Sequence, residues 1–185
     1  LPFWKGDADL VDWESAEAIF ILGVNAASNA PRMLTSLAEA YRRGAQIVHI
    51  NPLVEAAARR TIVPHDFARM ALNRATPTST LNLQVRPGGD LALMRAIAKY
   101  LFELHETDPK AIDVEFVERY THGFENYRQL CTDTSWAELV EQAGLSEDEL
   151  RAAGRIYAES DRTLVSWCLG VTQHEHGVDT VREIV

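Results

Sequence analysis

The chain has 185 residues, of which 46% are hydrophobic and 24% are charged, a balance typical of a globular protein with one sizeable core. Its formal net charge of −9 at pH 7 argues against binding of long nucleic acids, because such binding requires clustered lysines and arginines. The sequence contains no apolar stretch long enough to span a bilayer and no signal-peptide pattern, so we predict no membrane partner and a cytoplasmic location.

The first half of the chain alternates between strand and helix patterns. Residues 18–23 form a short apolar run that ends in glycine, as expected of a strand buried on both faces. Residues 31–43 carry apolar side chains at helical spacing, and Gly44 follows them as a C-terminal cap. Residues 46–50 predict a second strand. This order predicts a βαβ unit of a doubly wound fold, which binds ligands at the carboxyl ends of its strands.

Residues 53–80 show a weaker pattern, because prolines interrupt any long helix. The arginines of this segment either neutralise a phosphate near the strand ends or form an ordinary solvated surface, and the sequence leaves both interpretations open. They are Arg59, Arg60, Arg69 and Arg74. Residues 81–85 then predict a third strand, and residues 90–104 predict a long helix with one apolar face.

Helix patterns dominate the second half of the chain. Residues 113–160 predict a helical insertion or lid, with helices over 114–120, 125–131, 135–143 and 146–157. A fourth strand over 163–169 resumes the sheet, and a last helix covers 178–185. We therefore predict an α/β fold, a single Rossmann-like domain over residues 1–185 whose doubly wound, mainly parallel sheet has helices on both faces. Because the chain begins without methionine and ends within a helix pattern, we expect a piece of a longer protein.

Four loops follow the predicted strands and carry glycines or short polar side chains. In Pro87-Gly88-Gly89-Asp90 the glycines allow the backbone to approach a ligand, and Asp90 either caps the helix or accepts hydrogen bonds from a nucleobase. The candidate residues of the other loops are Gly23, Asn25, Ser28 and Asn29; Asn51 and Pro52; and Gly170, Thr172, Gln173 and His174. Helix capping or an ordinary solvated loop is the alternative interpretation of each. Their positions predict one binding site at the carboxyl ends of the strands.

Several common sites do not match the sequence. The first loop lacks the Gly-x-Gly-x-x-Gly fingerprint of nicotinamide dinucleotides, and no Gly-Lys-Ser or Gly-Lys-Thr follows a strand. Cys131 and Cys168 are too far apart for a zinc ribbon or an iron–sulfur cradle. His174 and His176 alternate in a loop without an obvious third ligand. We therefore assign no metal-ligating and no catalytic residue to this chain.

The order and spacing of the four loops resemble the molybdopterin oxidoreductases of the dimethyl sulfoxide reductase superfamily, in particular their formate dehydrogenase alpha-subunit-like branch. The resemblance covers nearly the whole chain and rests on Gly23-Val24-Asn25, on Asn51-Pro52-Leu53, on the run from Gln84 to Leu93 and on residues 170–177. It implies an enzyme that binds molybdenum through two molybdopterin guanine dinucleotides, with this chain as its Rossmann-like cofactor-binding domain. It also implies two-electron chemistry at molybdenum, with formate as the candidate substrate.

The resemblance implies roles for single residues. The first loop lies against the cofactor, Asn51 meets the guanosine part, and the last loop lies near the pterin and the phosphates. Asp90 recognises guanine, since a carboxylate can accept hydrogen bonds from N1 and N2 of the base together. Pro52, Gly88 and Gly89 belong to the same cofactor-binding set. The chain departs from the family pattern at Asn51, where Asp is common, and at Gly89, where many members have Thr.

The metal-ligating side chain, the iron–sulfur cysteines and the domain that completes the pterin site have no match in this chain, and the resemblance places them elsewhere in the parent enzyme. The expected partners are the remaining domains of that enzyme, a small-molecule substrate and an electron-transfer partner, and the chain alone is expected to be inactive. Two other functions stay open. One is a Rossmann-like domain for another nucleotide or phosphorylated ligand in a non-molybdenum enzyme or regulatory module, and the other is a structural domain that docks through its helices.

Overall fold

The computed structural model of the protein describes residues 9–63 and 66–185. The helices are α1 (Leu10–Ser15), α2 (Ala26–Asn29), α3 (Met33–Arg43), α4 (Phe67–Ala71), α5 (Asp90–His105), α6 (Val114–Tyr120), α7 (Phe124–Asp133), α8 (Trp136–Ala143), α9 (Glu147–Ala158), α10 (Leu169–Thr172) and α11 (Gly177–Ile184). The strands are β1 (Ala18–Leu22), β2 (Gln46–Ile50), β3 (Arg60–Thr61), β4 (Thr76–Pro77), β5 (Leu81–Leu83) and β6 (Thr163–Trp167). Two compact units share these elements: unit 1 comprises Leu1–Gln84 and Ser160–Gln173, and unit 2 comprises Val85–Glu159 and His174–Val185.

Unit 1 is built on a parallel sheet with the strand order β5-β2-β1-β6. Phe20 of β1 lies opposite Val48 of β2 on one side and Val165 of β6 on the other. Every residue of β1 is buried, which explains why its sequence is uniformly apolar rather than alternating. The predicted α/β class with a parallel sheet is confirmed, and each predicted strand is present, with β5 and β6 ending two residues earlier than predicted.

One face of this sheet packs against α1 and α3. The apolar stripe of α3 predicted from its helical spacing buries Leu37 and Ala40 against Ile19, Ile21 and Ile47 of the strands. Gly44 ends α3 in the left-handed conformation, with φ of 94°, as predicted for a C-terminal cap. The predicted start at residue 31 was wrong by two residues, because residues 31 and 32 form a turn that leads into the helix.

A buried histidine in β2 departs from the apolar pattern of the sheet. His49 is 2% exposed, and neither of its ring nitrogens has a hydrogen-bond partner among the described residues. Its pairing partner in β5, Asn82, buries a side-chain oxygen that also lacks a partner there. Burial lowers the pKa of His49 to about 4, and the backbone of Thr78 opposes this only in part. The folded chain therefore keeps this imidazole neutral near pH 7.

The segment between β2 and β5 contains the small antiparallel pair of β3 and β4. Arg69 forms an ion pair with Asp66 at 3.4 Å and donates a hydrogen bond to the Thr76 hydroxyl. Arg42 of α3 binds the same two residues. Three of the four arginines considered as phosphate ligands lie exposed on the surface, namely Arg59, Arg60 and Arg74. The solvated interpretation therefore fits these three, and Arg69 has a structural role.

Unit 2 is a cluster of helices around α5. The helices α7, α8, α9 and α11 all pack against α5. The helices predicted between residues 113 and 160 are present, and α6 has the predicted bounds. Gly154 lets α9 approach α5 closely, since a Cβ at this position would lie 2.6 Å from the ring of Tyr100. None of the helices within the described residues combines the length and the apolar character needed to cross a bilayer.

A network of polar side chains ties α11 to the core of unit 2. Glu183 forms an ion pair with Arg95 of α5, and its other carboxylate oxygen accepts a hydrogen bond from the Tyr127 hydroxyl at 2.7 Å. Burial, with the charge of Glu183 beside it, raises the pKa of Tyr127 far above its ordinary value. Lys99 donates to the backbone oxygens of Cys131 and Thr132, which end α7. These charged groups therefore hold helices together rather than face a site.

Candidate functional site

The carboxyl ends of the parallel strands lie at one edge of the unit 1 sheet. Strands β2 and β5 follow on one side of β1, whereas β6 lies on its other side, so the strand order reverses between β1 and β6. In open α/β sheets such a reversal opens a crevice in which ligands bind. The predicted first and last loops begin here, with Gly23 after β1 and Gly170 after β6.

Gly23 and Gly170 touch each other at this reversal point. The amide of Gly170 donates to the Gly23 carbonyl at 3.1 Å. A Cβ on Gly170 would lie 2.6 Å from that oxygen, and a Cβ on Gly23 would lie 2.8 Å from the backbone of Gly170 and Val171. Gly23 also has φ of 62°, which favours glycine. The sequence predicted a flexible ligand loop around Gly170, but both glycines are required for contact between two backbones.

The polar side chains of the first loop organise its backbone. Asn25 is the N-cap of α2, and its side-chain oxygen accepts a hydrogen bond from the Ser28 amide at 3.2 Å. The Asn29 side chain donates to the Asn25 carbonyl. This is the capping role that the sequence left open beside ligand binding. The side chains of Ser28 and Asn29 nevertheless lie exposed, where a ligand can reach them.

Asn51 connects the ends of three neighbouring strands. Its amide nitrogen donates to the carbonyl of Leu83 at 3.1 Å, and its side chain donates to the carbonyl of Val24 at 3.3 Å. The exposed Pro52 accepts a hydrogen bond from the Gln84 side chain. Asn51 therefore fixes the first loop against the end of β2, and its side-chain oxygen remains as an acceptor.

The last predicted loop is more helical than the sequence suggested. Gly170 and Thr172 belong to the short helix α10, and Gln173 ends it. Thr172, Gln173 and His174 are exposed, and Val171 between them is buried. The structure therefore brings Gly23, Asn51 and Gly170 together at the sheet edge of unit 1, with Thr172 and Gln173 on the surface nearby in sequence.

Asp90 is the most distinctive predicted residue of unit 2. It is only 5% exposed and occupies the first position of α5, and Gly89 rather than Asp90 is the N-cap. The Asp90 side chain makes no N-cap hydrogen bond, so the structure does not bear out the capping alternative that the sequence left open beside ligand binding. No ion pair within the described residues includes Asp90 either. Burial raises the pKa of its carboxyl, and a hydrogen bond to its own backbone and the charge of His174 act in the opposite direction.

The loop before Asp90 contains an arginine to which the sequence analysis assigned no role. Arg86 donates from its side chain to the Glu141 carbonyl and from its amide to the Ala143 carbonyl, each at 2.8 Å. Both acceptors belong to the last turn of α8, whose carbonyls lack partners within the helix. In the sequence, the only sign of this contact was the position of Arg86 shortly before the two glycines. Its partner in α8 lies about 55 residues away, so the sequence did not identify it. Gly88 has φ of 84° and nothing near the position of a Cβ.

Comparison with sequence family models gives no match. Over 98% of its length the chain is 33% identical to Protein YdeP of Escherichia coli K12, and over 97% it is 33% identical to the uncharacterized oxidoreductase Rv2900c of Mycobacterium tuberculosis H37Rv. Over 92% of its length it is 28% identical to formate dehydrogenase H of Escherichia coli K12. The chain spans about a quarter of each relative, 24%, 23% and 21% in this order.

A solved structure has the same fold. Acetylene hydratase from Pelobacter acetylenicus superposes on 92% of this chain with a TM-score of 0.69, and the chain covers 20% of that protein. The two sequences are 20% identical over this region, so the likeness concerns the fold alone. The Rossmann-like topology is thus found within a much larger protein.

Proposed function

We propose that this chain forms a cofactor-binding part of a larger molybdenum oxidoreductase. The proposal rests on its family, since the chain belongs to the molybdopterin oxidoreductases of the dimethyl sulfoxide reductase superfamily. The relatives support the coarse part of this proposal, an oxidoreductase of this family. The bis(molybdopterin guanine dinucleotide) form of the cofactor, formate as the substrate and the residues that bind are our proposal. A cytoplasmic location stays a prediction.

The observation that carries the proposal is the Asp90 carboxylate. It is buried at the start of α5, where it has a hydrogen bond to its own backbone and the charge of His174, but it is not the N-cap of that helix and belongs to no ion pair among the described residues. Burying a carboxylate without a cap or an ion pair costs free energy. When ionised, the carboxylate can accept hydrogen bonds but cannot donate one. The Watson–Crick edge of guanine presents two neighbouring donors, N1–H and N2–H, so its donor set fits this carboxylate. We propose that Asp90, preceded by Gly88 and Gly89, binds the guanine of the cofactor.

We propose cofactor contacts for the other loop residues as well. The first loop, with Gly23, Asn25, Ser28 and Asn29, and the end of β2, with Asn51 and Pro52, would bind other parts of the dinucleotide. The exposed side chains of Thr172, Gln173 and His174 would donate to phosphate oxygens, with Gly170 holding the start of α10 in place. When bound, the cofactor would supply a molybdenum centre for two-electron chemistry. The residues of this chain bind and orient the cofactor, and the remaining domains would complete the active site.

The test uses the full-length oxidoreductase that carries this chain, produced in a host that synthesises the cofactor. We expect about two guanosine monophosphates, released by acid hydrolysis, for each molybdenum measured by mass spectrometry. Asp90→Asn should lower both contents several-fold, because the amide presents donors to the donors of guanine. The control Asp113→Asn changes the exposed carboxylate that caps α6 and should leave both contents unchanged.

Two results would overturn the proposal. Protein without molybdenum and without guanosine monophosphate would leave the fold with another ligand. Full cofactor content in Asp90→Asn, together with a lower melting temperature, would make Asp90 a structural residue only. Formate is tested separately, by formate-dependent reduction of an artificial electron acceptor. Enzyme that contains its full complement of molybdenum and shows no such turnover would contradict the substrate and not the cofactor.

A further inference from the structure

We infer that Arg86 and Gly144 position the Asp90 carboxylate for the guanine base, by clamping the loop before Asp90 onto the end of α8. The inference rests on the function proposed above and adds residues that do not themselves touch the base. Asp90 needs such support because its carboxyl makes no N-cap hydrogen bond on α5, and the hydrogen bond that it does make goes to its own backbone. The clamp consists of Arg86, Gly89, Ala143 and Gly144.

Arg86 joins the loop to α8 through both its backbone and its side chain. Its amide donates to the Ala143 carbonyl and its guanidinium donates to the Glu141 carbonyl, both at 2.8 Å. A cation at the C-terminal end of a helix is favoured by the helix dipole as well as by these free carbonyls. The Arg86 carbonyl in turn accepts from the amide of Gly89 at 2.7 Å. The turn that leads into Asp90 is thereby closed on itself and held on α8.

Two glycines make the close approach possible. A Cβ on Gly89 would lie 2.8 Å from the Ala143 carbonyl oxygen and 3.0 Å from the Arg86 carbonyl oxygen. Gly144 ends α8 with φ of 71°, and a Cβ there would overlap the aliphatic part of the Arg86 side chain. A residue with a Cβ therefore does not fit at Gly89 while α8 holds Arg86 in this place.

Helix α8 is itself held firmly on α5, so the clamp has a fixed base. Leu139 and Ala143 of α8 are completely buried, and the Trp136 indole donates to the Glu103 carboxylate at 2.7 Å. Glu103 lies near the end of α5, whereas Asp90 begins it. Hydrogen bonds at the two ends of α8 therefore connect the loop before Asp90, at the start of α5, to Glu103 near the other end of the same helix.

The test measures how the 185-residue chain distinguishes two nucleotides, guanosine diphosphate and inosine diphosphate, by isothermal titration calorimetry. Inosine lacks only the N2 amino group, so the ratio of the two dissociation constants reports one hydrogen bond to Asp90 and cancels the contribution of the phosphates. We expect wild-type chain to prefer guanosine diphosphate roughly tenfold, the value of one hydrogen bond to a charged group. Gly144→Ala should reduce this preference to about twofold or less.

The matched control is Gly123→Ala. Gly123 has φ of 77°, close to that of Gly144, but nothing lies within 4 Å of the position of its Cβ. Both alanines thus strain the backbone equally, and only one displaces Arg86. Gly123→Ala should keep the wild-type preference. Arg86→Met, which keeps the length of the side chain and removes its donors, should lose it, and it provides the test should Gly144→Ala fail to fold.

The outcomes separate this inference from the proposed function. A wild-type chain that binds both nucleotides equally, or neither, would overturn guanine recognition by Asp90 and with it the inference. A wild-type preference that survives in Gly144→Ala and in Arg86→Met would overturn the positioning role alone. A folded Gly144→Ala chain that binds both nucleotides with equal affinity would support it, since a general loss of stability weakens both affinities by the same factor.

Discussion

Acidification should destabilise unit 1 through His49. The pKa of this imidazole is about 4 in the folded chain and 6.5 when it is solvated. The folded chain therefore binds fewer protons than the unfolded chain, so the stabilisation is complete above pH 6.5 and is lost as the pH falls towards 4. At about 1.4 kcal/mol per pKa unit, the loss amounts to about 3 kcal/mol at pH 4 and about 2 kcal/mol at pH 5.

Urea unfolding of the chain at several pH values between 7.5 and 4.5, monitored by circular dichroism, measures this effect. His49→Gln removes the titrating group, so the free energy of unfolding of this variant should fall less steeply with acid than that of wild type. Between pH 7.5 and pH 5 the variant should lose about 2 kcal/mol less than wild type. His122→Gln removes an exposed histidine and controls for the loss of a ring. Parallel curves for wild type and His49→Gln over this pH range would refute the reasoning, because they would mean that His49 is protonated equally in both states.

Two further predictions concern stability. Gly170→Ala should lower the free energy of unfolding in urea by about 1–3 kcal/mol, because its Cβ collides with Gly23. The control Gly44→Ala has open space at its Cβ and should lose only about 1 kcal/mol from backbone strain. Equal losses in the two variants would contradict the contact between Gly170 and Gly23. Glu183→Gln should lower the free energy of unfolding by about 2–4 kcal/mol, because Arg95 then keeps a partly buried charge without its carboxylate partner. Amide hydrogen exchange in α11 should become faster for the same reason. Unchanged exchange would show that α11 is held by packing alone.

Local patterns in the sequence were enough to predict much of the fold. The strand at residues 46–50 and the helix at residues 114–120 have the predicted bounds, since each carries its own apolar period and its own end signals. The helical cap at Gly44 was predictable for the same reason. The fold class followed from the order of these elements along the chain, and that order needs no long-range information.

The roles of single loop residues could not be predicted in this way. Gly89 suggested close approach to a ligand, but the group that approaches it belongs to α8, more than 50 residues later in the chain. Gly170 suggested flexibility, and it packs against Gly23. Asp90 suggested either a helix cap or a ligand contact, and the N-cap of α5 is Gly89. The groups that contact Gly89 and Gly170 are distant from them in sequence, so only the folded chain identifies these contacts.

The contact between Gly23 and Gly170 restricts how these two positions can change over time. When a large side chain collides with a neighbour in a core, a smaller neighbour often relieves the collision. Here the atoms that would collide belong to the backbone of the partner, and the partner is already the smallest residue. A substitution at one position therefore has no suppressor at the other. Relief can come only from moving one of the two loops away from the carboxyl edge of the sheet.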